Sequence, residues 1–363
     1  MMATRSSISA ATTARSLPEL SPPASEGFQT PNLYTNMKRL ALVSALWLLI
    51  SIWPAFSQTL NWYKGNTHTH TINSDGDSTP DEVVRWYREH RYNFLFITDH
   101  EHVTNVGPLN DLHGKPGTFI VISGQEVTDS YERKPYHMNA LGISSVVMPN
   151  RLPGAVETLQ KNIDDVIKAG GIAQINHPNF GWALNADQLI KLQNYTLLEI
   201  HNGHPLVNNQ GGGGVQSAEE MWDAVLSSGK IVFAIADDDS HYFKRIGDPA
   251  APTPGKGWIF VRAAELTPLA IIESIKRGDF YASTGVELSD LQTGGGKVVV
   301  TVKEERSSKY RIQFIGQGGR ILSQAASSPA TYNIKGSEGY VRVRIYESNG
   351  KMAWTQPVMV DKR

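Results

Sequence analysis

From residue 62 to about residue 285 the chain repeats one pattern, a short apolar run with a polar end followed by an amphipathic segment. "FLFITDH" (94–100), "FIVISGQE" (119–126), "GIAQINHP" (171–178), "LLEIHNG" (197–203) and "IVFAIADDDSH" (231–241) each carry 4 to 6 apolar or β-branched residues before the polar end. Such unbroken runs predict strands buried on both faces of a parallel sheet. Helix starts lie between them. Thr79-Pro80-Asp81-Glu82 supplies an N-cap, a proline at the first helical position and a capping-box glutamate. Asn185, Ser217 and Thr267 are the caps expected for three later helices.

After residue 288 the pattern changes to strict alternation, as in "KVVVTVKE", "KYRIQFIG", "YVRVRIYE" and "PVMVD", with Gly- and Ser-rich links between. This predicts a small antiparallel β domain over 289–363, attached to an α/β domain over 62–288. The N-terminal part reads differently. Residues 1–36 have the Ser, Ala, Thr and Pro content of a disordered or mis-called extension, and Met37-Lys38-Arg39 then leads into an apolar run from Leu40 to Trp53. That run has the length of a secretory h-region and falls short of the roughly 20 residues of a membrane span. A signal peptide over 37–57, cleaved before Gln58, is therefore expected; the alternative is a signal anchor with a short cytoplasmic tail. Cleavage would leave a secreted or periplasmic protein with no membrane anchor.

Composition adds mainly exclusions. Of 363 residues, 34 are Lys or Arg and 35 are Asp or Glu, so a net charge of -1 implies no nucleic-acid partner. Cysteine is absent, which removes disulfides and thiolate ligation from consideration. The 11 histidines all lie between His68 and His241, so whatever histidine does, one region does it.

Six of those histidines, His68, His70, His100, His177, His201 and His241, sit where the predicted strands end, and in parallel α/β folds functional groups collect at the carboxyl ends of strands. His68 and His70 are two apart in an extended segment and face one side. His100 closes "FLFITDH" beside Asp99, and Glu126 closes the next strand. Only ten residues separate Glu126 from His137, too few for a helical crossover, so the chain should return as a hairpin that brings His137 beside Glu126. His177 precedes Pro178, which favours an extended backbone there. His201 ends a further strand, and Asp239 and His241 close "ADDDSH". Singly, each has an ordinary structural reading, as a core or surface side chain. Together they would be costly to bury without a cation. Imidazole and carboxylate donors suit Zn, Mn or Fe. Asp237 and Asp238 are expected to orient imidazoles.

The ordered set "HTH", "SDG", "TDH", "GQE", "YHMNALG", "NHP" and "DSH" resembles the polymerase and histidinol phosphatase (PHP) superfamily over roughly residues 66–285. That resemblance implies a distorted (β/α)7 TIM-like barrel holding two or three divalent metal ions, most often used to hydrolyse phosphoesters. By position it makes His68, His70, Asp75, His100, Glu126, His137, His177, Asp239 and His241 metal ligands, with Glu126 bridging. His201 stands where such proteins vary, as a ligand or a substrate contact. The secretion signal departs from the intracellular roles of the superfamily.

Three divalent ions against Asp75, Glu126 and Asp239 would leave about +3 in the pocket, which favours an anion. The expected reaction is hydrolysis of a phosphomonoester or phosphodiester by a metal-bridging hydroxide, with Glu126, Asp239 and His241 at the reacting centre and Asp99 behind them. Arg133, Lys134 and Arg245 are candidate phosphate contacts, each with solvated surface charge as the plain alternative. The rivals are an amidohydrolase-like enzyme acting on amides or lactones and a non-catalytic secreted metal- or ligand-binding protein.

Overall fold

A computed structural model describes residues 59–360. The extension over 1–36 and the signal peptide over 37–57 lie outside the described residues. Among the described residues no helix is long and apolar enough to cross a membrane.

Every apolar run singled out above forms a strand: β2 (Phe94–Ile97), β3 (Ile120–Tyr131), β5 (Ile172–Ile175), β6 (Leu197–Asn202) and β7 (Phe233–Asp237). They join β1 (Asn61–Asn66) and β4 (Lys134–Leu141) in the order β1-β2-β3-β4-β5-β6-β7. All pairs are parallel except those of β4, which returns antiparallel from β3 through a two-residue turn. The helices start where their caps predict. Thr79 with Glu82, Asn185 with Gln188 and Ser217 with Glu220 form capping boxes on α1 (Pro80–Glu89), α4 (Ala186–Lys191) and α5 (Ala218–Ser227). Between α1 and α4 come α2 (Gly107–His113) and α3 (Ala155–Lys168), and Thr267 caps α6 (Pro268–Arg277).

The expected closed barrel is not what the strands make. To close, β1 would have to pair with β7, but its second edge is taken along Asn61–Gly65 by the antiparallel strand β8 (Trp258–Ala263). The sheet therefore stays open, with β7 at one end of it. Beyond the strands the chains after β1 and β7 still meet, in a single parallel bridge between Thr69 and Ser240. Where the chain enters β8 against the end of β7, close approach needs a glycine, since a Cβ on Gly257 would lie 2.5 Å from the Asp237 carbonyl oxygen.

From β8 the same sheet runs on through β9 (Phe280–Ser283), β16 (Met352–Thr355), β15 (Tyr340–Glu347), β12 (Tyr310–Gly316) and β13 (Arg320–Ala325), all antiparallel. The remaining short strand, β17 (Val358–Met359), pairs with β15. Strands on both sides of residue 288 thus share one sheet. A separate three-stranded sheet of β10 (Leu288–Gln292), β11 (Lys297–Val302) and β14 (Ala330–Asn333) packs its valines with Ile312, Phe314, Val343 and Ile345 in a second apolar core.

Gln356 and Arg342 are among the residues whose polar contacts tie this C-terminal part to the rest. Gln356 offers its amide to β7, accepting from the Ala234 N–H at 2.8 Å and donating to the Ala234 carbonyl at 2.9 Å, as a neighbouring strand would. Arg342, fully buried on β15, donates to both oxygens of Asp223 on α5 at 2.8 and 2.6 Å and reaches Glu219 at 2.7 Å. Removing Asp223 would leave a buried guanidinium partly uncompensated. Asp223→Ala should therefore cost about 3–5 kcal/mol of stability, read as a lower urea midpoint.

Candidate metal centre

The "HTH" segment continues β1 beyond its last ladder pair, and its backbone is pinned on both sides. Thr69 N–H donates to Thr98 Oγ1 at 3.0 Å, Thr98 N–H donates back to Thr69 O at 3.0 Å, and His70 N–H donates to Ser240 O at 2.9 Å. Held extended, His68 and His70 point the same way, with ring centres 5.2 Å apart. Both are fully buried.

They face Glu126, itself 1% exposed. Glu126 Oε2 lies 3.3 Å from His68 Nε2, 3.3 Å from His70 Nε2 and 3.2 Å from His100 Nδ1. Its other oxygen, Oε1, lies 3.2 Å from His137 Nδ1 and 3.3 Å from His177 Nε2, and accepts from Asn176 Nδ2 at 2.8 Å. His137 arrives as the hairpin predicts: it pairs with Thr128, two residues along β3 from Glu126. Asp239 Oδ1 completes the floor at 3.3 Å from His68 Nε2 and 3.4 Å from His70 Nε2. On the solvent side Asp75 bridges His100 at 3.5 Å and His241 at 3.3 Å.

His68 Nε2 and His70 Nε2 are buried with no hydrogen-bond partner, although both face carboxylate oxygens. Buried polar atoms left this way need a counterpart, and one cation between ring nitrogens and carboxylates would satisfy all of them. The donors fall into three compact groups suited to this: His70, Asp75, His100 and His241; His68, His70 and Asp239; and Glu126, His137 and His177. A fourth, of His68, Glu199 and Asp237, has a different meaning. His68 Nδ1 sits 2.6 Å from Glu199 Oε1, which fixes the ring so that Nε2 faces the cluster.

Proton affinities register the same crowding. Burial opposes charge on His68, yet Asp239, Glu126 and Glu199 outweigh it and raise its pKa well above the usual histidine value. His100 is likewise raised to about 9 against its burial, by Glu126 and Asp75. Burial alone would raise Glu126, but His68, His100 and His137 hold it well below the carboxylate range. Asp237 moves the other way, pushed up by burial and then by the neighbouring Glu199. Backbone strain marks the same place: His177 (φ 23°) and Asp239 (φ 47°) are non-glycine residues at positive φ. His177 is thus not extended as its proline suggests, because its N–H is drawn to Glu199 Oε2 at 2.6 Å.

Of the residues expected to ligate, His201 alone is set apart. A bulge in β6 between Glu199 and His201 turns the chain over, so Glu199 faces the cluster while His201 stacks on Trp354, ring centres 6.2 Å apart. The acids expected to orient imidazoles divide as well. Asp237 lies beside His68, but Asp99 accepts from Thr71, Ser74 and Thr104 and shapes the loop that carries Asp75. Asp238 accepts from Tyr87 and from the backbone of Lys256 and Gly257. Among the candidate phosphate contacts, Arg245 is engaged by Asp248, whereas Arg133 and Lys134 are exposed at the turn between β3 and β4. Three residues of the site escape a sequence reading. Glu199 hides two positions before the more conspicuous His201, and Phe180 and His204 line the pocket mouth with no motif to mark them.

No family model and no curated relative matches the sequence. By structure the protein is similar to a two-domain protein from Bacteroides vulgatus containing a predicted PHP-like metal-dependent phosphoesterase, at 14% identity and TM-score 0.49, over 82% of this chain and 96% of that one. It is similar to a candidate metal-dependent phosphoesterase from Bifidobacterium adolescentis at 15% identity and TM-score 0.37, over 49% of this chain and 87% of that one. A third similarity is to an amidohydrolase from Chromobacterium violaceum, at 18% identity and TM-score 0.36, over 50% of this chain and 88% of that one.

Glu199→Gln should weaken metal affinity about 10- to 100-fold by freeing the His68 ring, measured by competition with a chromogenic chelator. His201→Phe should keep the wild-type metal content by elemental analysis. Burial holds His201 down to about 4, so its stabilising contribution is complete above pH 6.5 and is lost as the pH falls toward 4. The His201→Phe protein should accordingly lose less stability than wild type across that window, measured by urea unfolding.

Proposed function

We propose that the protein is a metal-dependent phosphoester hydrolase of the PHP type, acting outside the cytoplasm after removal of its signal peptide. What supports this most is Glu126, whose two oxygens face separate sets of imidazoles as a carboxylate shared between ions must. Asp75, His100 and His241 would hold one ion, His68, His70 and Asp239 a second, and His137 and His177 a third, with Glu126 shared among them. Divalent ions so held supply Lewis acidity toward phosphoryl oxygens and lower the pKa of a bound water.

The chain's own residues set the conditions for that chemistry. Glu199 fixes the His68 ring, Asn176 fixes the Glu126 carboxylate, and Asn202 donates to Asp239 Oδ2 at 3.1 Å. The pocket above them holds about 160 Å³ and is walled by Phe180 and His204, room for a phosphoryl group with the rest of its ester outside. His204 Nδ1 accepts from the Leu206 N–H at 3.2 Å, which leaves its Nε2 as the ring's donor.

Purified mature protein should carry divalent metal and hydrolyse phosphate esters in preference to amides and lactones. A chelator should abolish that activity and Mn, Zn or Fe should restore it. Asp239→Ala should lose bound metal and lower kcat by at least about 10²-fold, on the scale of removing one stabilising group from a reacting centre. A fully metallated, fully active Asp239→Ala protein, or a metal-loaded protein inert toward every ester, would refute the assignment.

A further inference from the structure

We infer that the site takes a phosphoester bearing a second anionic group, which a pair of arginines beside the metal pocket receives. This rests on the phosphoester reading above and adds the class of substrate. A cleft of about 810 Å³ runs from His137 and Phe180, which it shares with the metal pocket, to Arg133 and Arg151. Those two arginines come from different parts of the chain, the β3–β4 turn and the segment before α3, and the fold brings them to one cleft.

Neither guanidinium has a hydrogen-bond or ion-pair partner among the described residues, in contrast to Arg245, Arg277, Arg342 and Arg344. The acids that share the cleft are committed elsewhere. Glu101 Oε1 accepts from the Thr128 N–H at 2.6 Å. Asp129 is buried, accepting from the N–H groups of Ser130, Asn150 and Arg151 and from Asn162. The two guanidiniums are thus the cationic groups of the cleft left without a partner, each able to make bidentate contact with an oxyanion.

Local conformation points the same way. The β3–β4 hairpin turns on Glu132 (φ 50°) and Arg133 (φ 64°), both at positive φ, where Asn-Gly is the favoured pair. Arg151 is also at positive φ, 51°. The left-handed region is unfavourable for arginine, so the turn's own stability does not explain the choice. A phosphoryl group on the metals and a second anion at Arg133 and Arg151 would lay the connecting part of the substrate past Phe180.

Binding, separate from turnover, tests this. Calorimetric titration of the metal-loaded protein with propylphosphonate and with propane-1,3-bisphosphonate compares one anionic group with two on the same carbon chain. The bisphosphonate should bind about tenfold tighter or more. Arg133→Gln and Arg151→Gln should each reduce that advantage, and the double variant should abolish it, while affinity for propylphosphonate and metal content stay at wild-type levels. Arg133→Gly should weaken bisphosphonate binding yet raise the urea midpoint, since glycine relaxes the turn. Equal affinity for the two ligands, or an advantage that survives the double variant, overturns the subsite while leaving the hydrolase reading intact. If neither phosphonate binds the metal-loaded protein, the phosphoester reading fails and the subsite with it.

Discussion

Glu126 is a carboxylate with almost no contact with water, surrounded by the nitrogens of five histidines. An isolated charge in such a place is prohibitive, and the neighbouring rings offset the cost only if positive charge resides among them. Much of the surrounding architecture serves that requirement. The long β3–β4 hairpin brings His137 to one oxygen, the pinned extension of β1 brings His68 and His70 to the other, and Asn176 holds the group between them. The strained backbones of His177 and Asp239 are tolerated because hydrogen bonds from several directions fix them.

Around that core the chain layers its polar groups by distance. Glu199 and Asp237 sit behind His68, and Gln174 joins them, donating to Glu199 Oε1 at 3.1 Å and to Asp237 Oδ2 at 3.0 Å. Farther out, Asp99 and Asp238 never touch an imidazole; each gathers backbone and hydroxyl donors and so sets the path of the loops that carry Asp75, Asp239 and His241. Acids that look alike in the sequence thus do three separate things, decided by which neighbours the fold gives them.

The sequence was most legible where local rules govern. The capping boxes at Thr79, Asn185 and Ser217, the apolar strands and the hairpin that returns His137 to Glu126 all follow from spacing and residue type. It was least legible where tertiary contacts override them. No local signal shows that β8 would occupy the edge of β1 and leave the sheet open, since that pairing joins residues some two hundred positions apart. A one-residue bulge was equally hidden, and it exchanges His201 for Glu199 at the site. The backbone of His177 defied its proline because a buried carboxylate claimed its N–H.

The amide that Gln356 presents to Ala234 has a bearing on how the protein is made. A ribosome makes β7 more than a hundred residues before Gln356, so through that interval the edge of the histidine-bearing half stays bare and invites pairing with another chain. That part of the edge is covered only once residue 356 has been made, so a nascent chain that stops before Gln356 would leave the Ala234 backbone groups without this partner.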